Sequence, residues 1–240
     1  MANNSCEFAR ALLERVLEGN YAFLHAMIGV DVCEANNRAI ENMEIMHMQG
    51  EDKDKFFYCN LDIPYSDDED CVEHIREQAS RKILKPLREN YGIDTSDDAI
   101  RAAVSEHNEV CRILTEIGEL RKLDIPPITG YEYAVLVLVS YTCPKRLILP
   151  YLHETLEEIR SRKTDAEKDY RVRVVVVGSE IDDPQLIKLI EGCGALVVAD
   201  RYCYGSFPGR QEIILSDTED ALTQVCRWYL QNTECPRQSA

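Results

Sequence analysis

The sequence predicts an α/β fold, in which parallel sheets with covering helices are joined by a mainly helical segment. Strand-like and helix-like segments alternate over residues 1–64, helical periodicity dominates residues 65–146, and a strand–helix–strand unit stands out within residues 147–240. Such alternation is typical of flavodoxin-like and Rossmann-like domains. We therefore expect a partial α/β domain at 1–64, a helical segment at 65–146, and an α/β domain at 147–240 that is incomplete at its C-terminal end.

The first of these regions contains two predicted helices and two predicted strands. Apolar periodicity predicts, in order, a helix at 8–17, a buried strand at 22–30, a helix at 33–50 and a strand at 56–61. Gly19 marks the end of the first helix, and Pro64 follows the second strand.

The central region carries start and stop signals for helices. Ser66-Asp67-Asp68-Glu69 has the form of a capping box, and Thr95-Ser96-Asp97-Asp98 offers a second helix start. Pro86 predicts a kink or break between them, and Asp124-Ile125-Pro126-Pro127 ends the second helix. We expect residues 67–122 to be predominantly helical.

The third region contains the clearest unit of the chain. Val172 to Val177 is an almost continuous β-branched run, which is typical of a strand buried on both faces. Asp183 and Pro184 predict the start of a helix, and Ala195 to Ala199 predicts a second strand, parallel to the first. Ligands of open α/β sheets bind beyond the carboxyl ends of the strands. This rule selects four candidate residues in the two turns that follow, namely Ser179, Asp200, Cys203 and Gly205.

The charge and the cysteine content restrict the class of protein. The 240 residues include 43 acidic and 27 basic ones, for a formal charge of -16, which disfavours nucleic acid and anionic membrane as partners. The longest apolar run, 133–139, is too short to cross a bilayer, and no signal peptide is expected. We predict a cytoplasmic protein, so the ten cysteines are not expected to form a disulfide framework.

The cysteines differ in their surroundings, and no other familiar catalytic motif is present. The sequence has no GxGxxG, GxxxxGK, HExxH, GxSxG or CxxC pattern, and His107 fits a structural role on a helix. Cys71, Cys111 and Cys226 have apolar neighbours at helical spacing and are predicted to be core residues, whereas composition gives Cys143 and Cys193 no role. Cys6 and Cys33 each precede a predicted helix, where backbone amides stabilise a thiolate, so metal binding and a plain structural role both remain open for them.

Six segments, in order along the chain, resemble the family of 2-hydroxyacyl-CoA dehydratase and benzoyl-CoA reductase subunits. They are Cys6-Glu7-Phe8-Ala9-Arg10, Asp31-Val32-Cys33-Glu34, Asn60 to Tyr65 ("LDxPY"), Glu106 to Lys122 ("YNE…LR"), Arg173 to Ser206 with its Asp182-Asp183-Pro184 and Asp200 to Gly205, and Tyr229 to Arg237 ("YL…CPR"). Glu34 departs from the aspartate that usually follows the second cysteine.

The resemblance implies an iron–sulfur enzyme. In that family a 4Fe–4S cluster is held by three cysteines and keeps one open iron position, which is what a catalytic metal site requires. An ATP-driven activator protein reduces the cluster, and a ketyl radical of the acyl-CoA thioester then expels the 2-hydroxyl group. By resemblance, Cys6 and Cys33 are cluster and metal ligands, and Asp200, Cys203 and Gly205 lie near the substrate cleft.

The resemblance also leaves alternatives open. The third ligand of the family follows the "CPR" segment, beyond Ala240, and Cys235 does not match it, so we expect either a fragment or a degenerate subunit. The leading hypothesis is a subunit of a 2-hydroxyacyl-CoA dehydratase, with a second dehydratase subunit, the activator and an acyl-CoA as partners. The alternatives are a benzoyl-CoA reductase subunit and a cluster-free, non-catalytic partner subunit. We expect the 240-residue chain alone to be inactive.

Overall fold

A computed structural model describes residues 6–31, 33–46, 54–162, 170–178, 181–206 and 211–232. Contacts divide the chain into two compact units, Met1–Ile100 with Leu215–Ala240, and Arg101–Ile214. These units divide the chain differently from the predicted segments 1–64, 65–146 and 147–240, because the last helix belongs to the same unit as the first hundred residues. In the part of the chain that the structure describes, every helix is too short or too polar to span a bilayer.

The first unit contains a two-stranded parallel sheet. Helix α1 (Glu7–Leu17) precedes strand β1 (Ala26–Val30), and helix α2 (Glu34–Ile45) leads to strand β2 (Phe57–Leu61). The register pairs Ala26 with Phe57 and Val30 with Leu61. Strand β1 is shorter than the predicted 22–30, because residues 18–23 form turns after α1. Gly29 lets α2 approach this sheet, since a Cβ there would overlap the Ile40 side chain.

The helices of the first unit pack in two places. Helices α1 and α2 share an apolar cluster centred on Ala9, Ala39 and Met43. Helix α3 (Glu69–Ala79) continues through a π-helical turn, Ser80–Leu84, into helix α4 (Lys85–Tyr91), so Pro86 lies in the first turn of α4. Asp68, rather than the predicted Ser66, caps α3 by accepting from the Cys71 N–H.

The C-terminal helix α9 (Ala221–Gln231) packs on α3. Cys226 is buried against Val72 and Ile75, and this burial raises the pKa of its thiol to about 11. The N-terminus of α9 is closed by Asp220, which accepts from Thr223 N–H, and by Asp97, which accepts from Ala221 N–H. The predicted core position of Cys226 is confirmed, while Cys71 is only half-buried.

The second unit combines a helical core with a second two-stranded parallel sheet. Helices α5 (Asp97–Leu120, from Arg101 onward), α6 (Gly130–Thr142) and α7 (Lys145–Ser161) enclose a cluster that includes Leu114, Ile117, Val137 and Leu152. Helix α8 (Gln185–Gly192) connects strands β3 (Val172–Val177) and β4 (Ala195–Arg201), which pair in parallel. The predicted strand–helix–strand unit is therefore confirmed, with the helix beginning one residue after Pro184.

The prediction that β3 is buried on both faces is wrong for the described structure. Val174 and Val176 pack against the cluster of Ile187 and Val197, but the side chains of Val175 and Val177 are 60% and 74% exposed. The reason is that, among the described residues, the apolar cluster around Ile187 covers only the face of β3 that carries Val174 and Val176.

Helix α6 depends on an acidic side chain from α8. Glu191 Oε1 accepts from the Gly130 N–H (2.8 Å) and from the Val197 N–H (3.1 Å), and Oε2 accepts from the Tyr131 N–H (3.1 Å). Residue 130 must be glycine for this contact, since a Cβ would lie 2.5 Å from Val197 Cβ. Glu191 thereby joins α6, α8 and β4 through three backbone N–H groups, two of which, at the start of α6, have no acceptor within their own helix.

We expect Glu191→Ala to lower the free energy of unfolding by about 1–3 kcal/mol, because it leaves backbone donors unpaired in a partly buried place. Urea denaturation followed by circular dichroism measures this change. Glu154→Ala, an exposed residue of α7, is the matched control and should leave the unfolding curve in place. Equal curves for the two variants would contradict the role given to Glu191.

Candidate functional site

Cys6 and Cys33 each stand directly before a helix, as the sequence predicts. Cys6 precedes α1 and is exposed, and its carbonyl accepts from the Arg10 N–H (3.1 Å). Cys33 precedes α2 and is half-buried, and its carbonyl accepts from the Asn37 N–H (3.0 Å). Neither side chain caps its own helix. The thiols therefore lie at the positive ends of two helix dipoles, where an anionic ligand set is stabilised.

The two helices that carry these cysteines belong to one packed layer. Ala9, three residues after Cys6, and Ala35, two residues after Cys33, belong to the same apolar cluster. This cluster brings the first turns of α1 and α2 into one part of the first unit. The convergence of the two sulfurs on a single cluster remains a prediction.

The donor chemistry of this pair fits part of an iron–sulfur site. Thiolates are the ligands that iron–sulfur clusters use, and Cys6 and Cys33 can supply two of them from fixed helix ends. Within the described residues, no three His, Cys, Asp or Glu side chains form a group that could hold a metal ion. Cys6 and Cys33 thus have the donor chemistry of two cluster ligands. The described residues place no third possible ligand together with them.

A polar network lies at the carboxyl ends of β1 and β2, beside Cys33. Asn37 Nδ2 donates to Asp31 Oδ1, and Asn60 Nδ2 donates to Asn37 Oδ1 (3.3 Å). Lys82 Nζ donates to the Asn60 carbonyl (2.7 Å) and to Gln78 Oε1 (2.7 Å). We call these five residues the amide network. Sequence reasoning missed it, although asparagine on the buried face of a predicted helix was a signal.

Asp200, a predicted cleft residue, forms a buried ion pair in the second unit. Its Oδ2 accepts from Arg121 Nη1 at 2.8 Å, and the two side chains are 1% and 4% exposed. Oδ1 accepts from the Ser206 N–H, and the Ser206 hydroxyl donates to Oδ2 (3.1 Å). The carboxylate therefore fixes the turn that follows β4.

Aromatic rings enclose this ion pair. The Arg121 guanidinium lies 3.6 Å from the centroid of the Tyr133 ring, a close cation–π contact. Arg173 of β3 donates to the Lys122 carbonyl (2.8 Å), which holds the chain beside Arg121. Burial, together with the charge of Asp200, raises the pKa of Tyr202 to about 12. Together these groups make a buried polar centre next to the turn.

The other predicted cleft residues are placed unevenly. Gly205 is buried in the turn, and a Cβ there would overlap Asp200 Oδ1 and approach the Tyr202 ring to 3.0 Å. Cys203 is half-buried in the same turn, so Asp200, Cys203 and Gly205 are brought together. Ser179 lies outside the described residues. Their role toward a substrate remains a prediction.

Comparison with known proteins adds a family and two relatives. A family model described as 2-hydroxyglutaryl-CoA dehydratase, D-component, matches residues 1–240. The chain is 23% identical to the putative dehydratase subunit YjiM of Escherichia coli (strain K12) over 174 residues, which cover 71% of this chain and 45% of that protein. It is also 23% identical to one of the benzoyl-CoA reductase subunits of Thauera aromatica over 203 residues, which cover 82% of this chain and 50% of that protein. The chain thus spans about half the length of the curated relatives it matches.

Proposed function

Because the chain belongs to the 2-hydroxyglutaryl-CoA dehydratase D-component family, we propose that it is part of a subunit of an iron–sulfur 2-hydroxyacyl-CoA dehydratase. The reaction removes water from (R)-2-hydroxyacyl-CoA and gives 2-enoyl-CoA. The enzyme is a hydro-lyase that works with a second dehydratase subunit and an ATP-driven activator. The observation that carries the proposal is the placement of Cys6 and Cys33 before two helices that pack together.

In this proposal the first unit holds the cofactor. Cys6 and Cys33 are two of the cysteine ligands of a 4Fe–4S cluster, and the helix ends behind them balance the negative charge of the thiolates. When bound, the cluster supplies single electrons to an acyl-CoA thioester, which ordinary acid–base chemistry cannot do. The chain itself orients the thiols and, through α1 and α2, shields one side of the site from water.

The second unit, in the same proposal, contributes to the substrate cleft. The turn after β4 lies at the carboxyl end of a strand, where α/β sheets bind ligands. Asp200 holds this turn by accepting hydrogen bonds from the N–H and the hydroxyl of Ser206. We propose that this turn, with Cys203 and Gly205, contacts the acyl-CoA, and that Ser179 after β3 does likewise. Asp200 acts mainly by holding the turn, since Arg121 and Ser206 already occupy its carboxylate oxygens.

A benzoyl-CoA reductase subunit is the second candidate function. The similarity to the benzoyl-CoA reductase of Thauera aromatica favours it directly. Both functions use the same two cysteines as ligands, so Cys6 and Cys33 keep their roles in either case. Turnover assays of the complete enzyme with benzoyl-CoA and with 2-hydroxyacyl-CoA substrates distinguish them.

A cluster-free, non-catalytic partner subunit is the candidate from another class. Cys6 and Cys33 each precede a helix, and a cysteine at such a position is equally compatible with a structural role. We also propose that the protein is located in the cytoplasm, where its cysteines would stay reduced. Iron content separates this candidate from the first two.

We expect the complete subunit, purified without oxygen, to contain iron and acid-labile sulfide in equal amounts. Cys6→Ser and Cys33→Ser should each lower both contents and make the remainder easy to remove with a chelator, because serine is a poor ligand for cluster iron. Cys193→Ser, an exposed cysteine of the second unit, is the matched control and should keep the wild-type content. An iron-free wild-type protein, or equal contents in all variants, would contradict the proposal.

A further inference from the structure

Cys33 lies on a very short connection. Strand β1 ends at Val30 and α2 begins at Glu34, so only residues 31–33 separate them. The Asp31 N–H donates to the Leu61 carbonyl of β2 (2.7 Å), which extends the sheet by one bond. The place of the Cys33 sulfur therefore depends on how Asp31 and the first turn of α2 are held.

Asn37 connects these parts. Its backbone N–H donates to the Cys33 carbonyl, while its side chain donates to Asp31 Oδ1 and accepts from Asn60 Nδ2. Asn37 is only 4% exposed, and Ala39 and Ile40, two and three positions later on the same helix, are buried and apolar. Burying a carboxamide is unfavourable unless it is hydrogen-bonded. An apolar residue at position 37 would pack there without needing hydrogen-bond partners.

The end of the amide network that lies farthest from Cys33 is held by a π-helical turn. The π-helical turn Ser80–Leu84 carries Lys82, whose ammonium bonds to the Asn60 carbonyl and to Gln78. Gln78 is buried and exchanges two hydrogen bonds with the backbone of Asp62, at 3.1 and 2.9 Å. Single π-helical turns are rare and frequently occur at functional sites. Asn60 also leaves its buried Oδ1 without a hydrogen-bond partner among the described residues.

These contacts form one chain of hydrogen bonds from the π-helical turn to the residues around Cys33. We infer that Asn37 is a positioning residue for Cys33, and that Asn60 and Lys82 support it from β2 and the π-helical turn. The inference rests on the proposed function insofar as Cys33 is a cluster ligand. Groups that orient metal ligands typically change metal affinity by about 10–100-fold when they are removed.

The first test uses the complete protein with its cluster. Asn37→Ala should increase the rate of iron loss to a chelator by on the order of tenfold and should alter the electron paramagnetic resonance spectrum of the reduced cluster. Asn42→Ala is the matched control, because Asn42 lies on the same helix and its side chain donates to the Arg38 carbonyl rather than to the amide network. Lys82→Met, at the far end of the network, should change the same two measurements in the same direction by a smaller factor.

The second test does not need the cluster. In cluster-free protein, the alkylation rate of Cys33, measured by peptide mapping, should rise in Asn37→Ala, while the rate of Cys6 stays unchanged. If the alkylation rate of Cys33 rises in Asn37→Ala but the complete wild-type protein binds no iron, the positioning role is supported and the proposed function is refuted. Unchanged Cys33 alkylation and unchanged iron loss in both Asn37→Ala and Lys82→Met would overturn the inference, even if the protein binds its cluster. If Asn37→Ala does not fold, Lys82→Met decides.

Discussion

Asp200→Ala is expected to destabilise the unit Arg101–Ile214 by about 3–5 kcal/mol, the usual cost of removing one partner of a buried ion pair. The Arg121 guanidinium would remain buried without its counter-charge, and the Ser206 N–H would lose its acceptor. Urea denaturation measures the loss, and hydrogen exchange assigns it to residues 101–214. Asp124→Ala, an exposed carboxylate in the same unit, is the control and should change little.

A paired substitution separates the ion pair from its individual charges. In Arg121→Met with Asp200→Leu, no charge is left buried without a partner, so this double variant should be more stable than either single variant. Leucine has the branching of aspartate, and methionine has an unbranched stem like that of arginine. A loss below about 1 kcal/mol in Asp200→Ala would contradict the buried pair. In that case, direct contact between Asp200 and a substrate becomes the better account of this residue.

The strand–helix–strand unit of residues 172–201 could be predicted from the sequence because its signals are local. A β-branched run, a proline at the helix start and a second apolar run each restrict the backbone within a few residues. The exposure of Val175 and Val177 could not be predicted in this way. Burial of a strand face depends on what covers it, and a valine run is compatible with one covered face or with two.

The two polar centres were beyond prediction because their partners are distant in sequence. Arg121 and Asp200 are 79 positions apart, and Asn37 and Asn60 are 23 positions apart. The strand-end rule selected Asp200, which is the second-last residue of β4, but it gave no sign that Arg121 would pair with it. Lys82, which donates to the Asn60 carbonyl, lies in a π-helical turn that no residue type in Ser80–Leu84 requires.

The sequence predicted the position of Cys6 and Cys33 but not their role. Helix periodicity predicted that both precede helices, and the structure confirms this position. Their role as ligands came from the resemblance alone, since a cysteine before a helix has structural uses as well. The packing of Ala9 and Ala35 in one cluster adds a physical reason for considering the two thiols together.

On the proposed function, Cys33→Ser is expected to abolish turnover in the complete enzyme, assembled with the proposed partner subunit and supplied with activator and ATP. Serine keeps the size of cysteine and the start of α2, so the fold should persist, but its hydroxyl does not replace a thiolate as a ligand of cluster iron. Turnover of 2-hydroxyacyl-CoA to 2-enoyl-CoA, measured without oxygen beside the iron content, tests this expectation. Cys71→Ser, at a half-buried position in the first turn of α3, should reduce stability and leave turnover per bound cluster unchanged.

The 240-residue chain alone is expected to show no turnover, because two thiolates leave a cubane cluster more exposed to chelators and oxygen than three do. Full activity of Cys33→Ser in the complete enzyme would remove Cys33 from the ligand set, and turnover by the isolated chain would show that the cysteine scheme of the family does not apply to this protein.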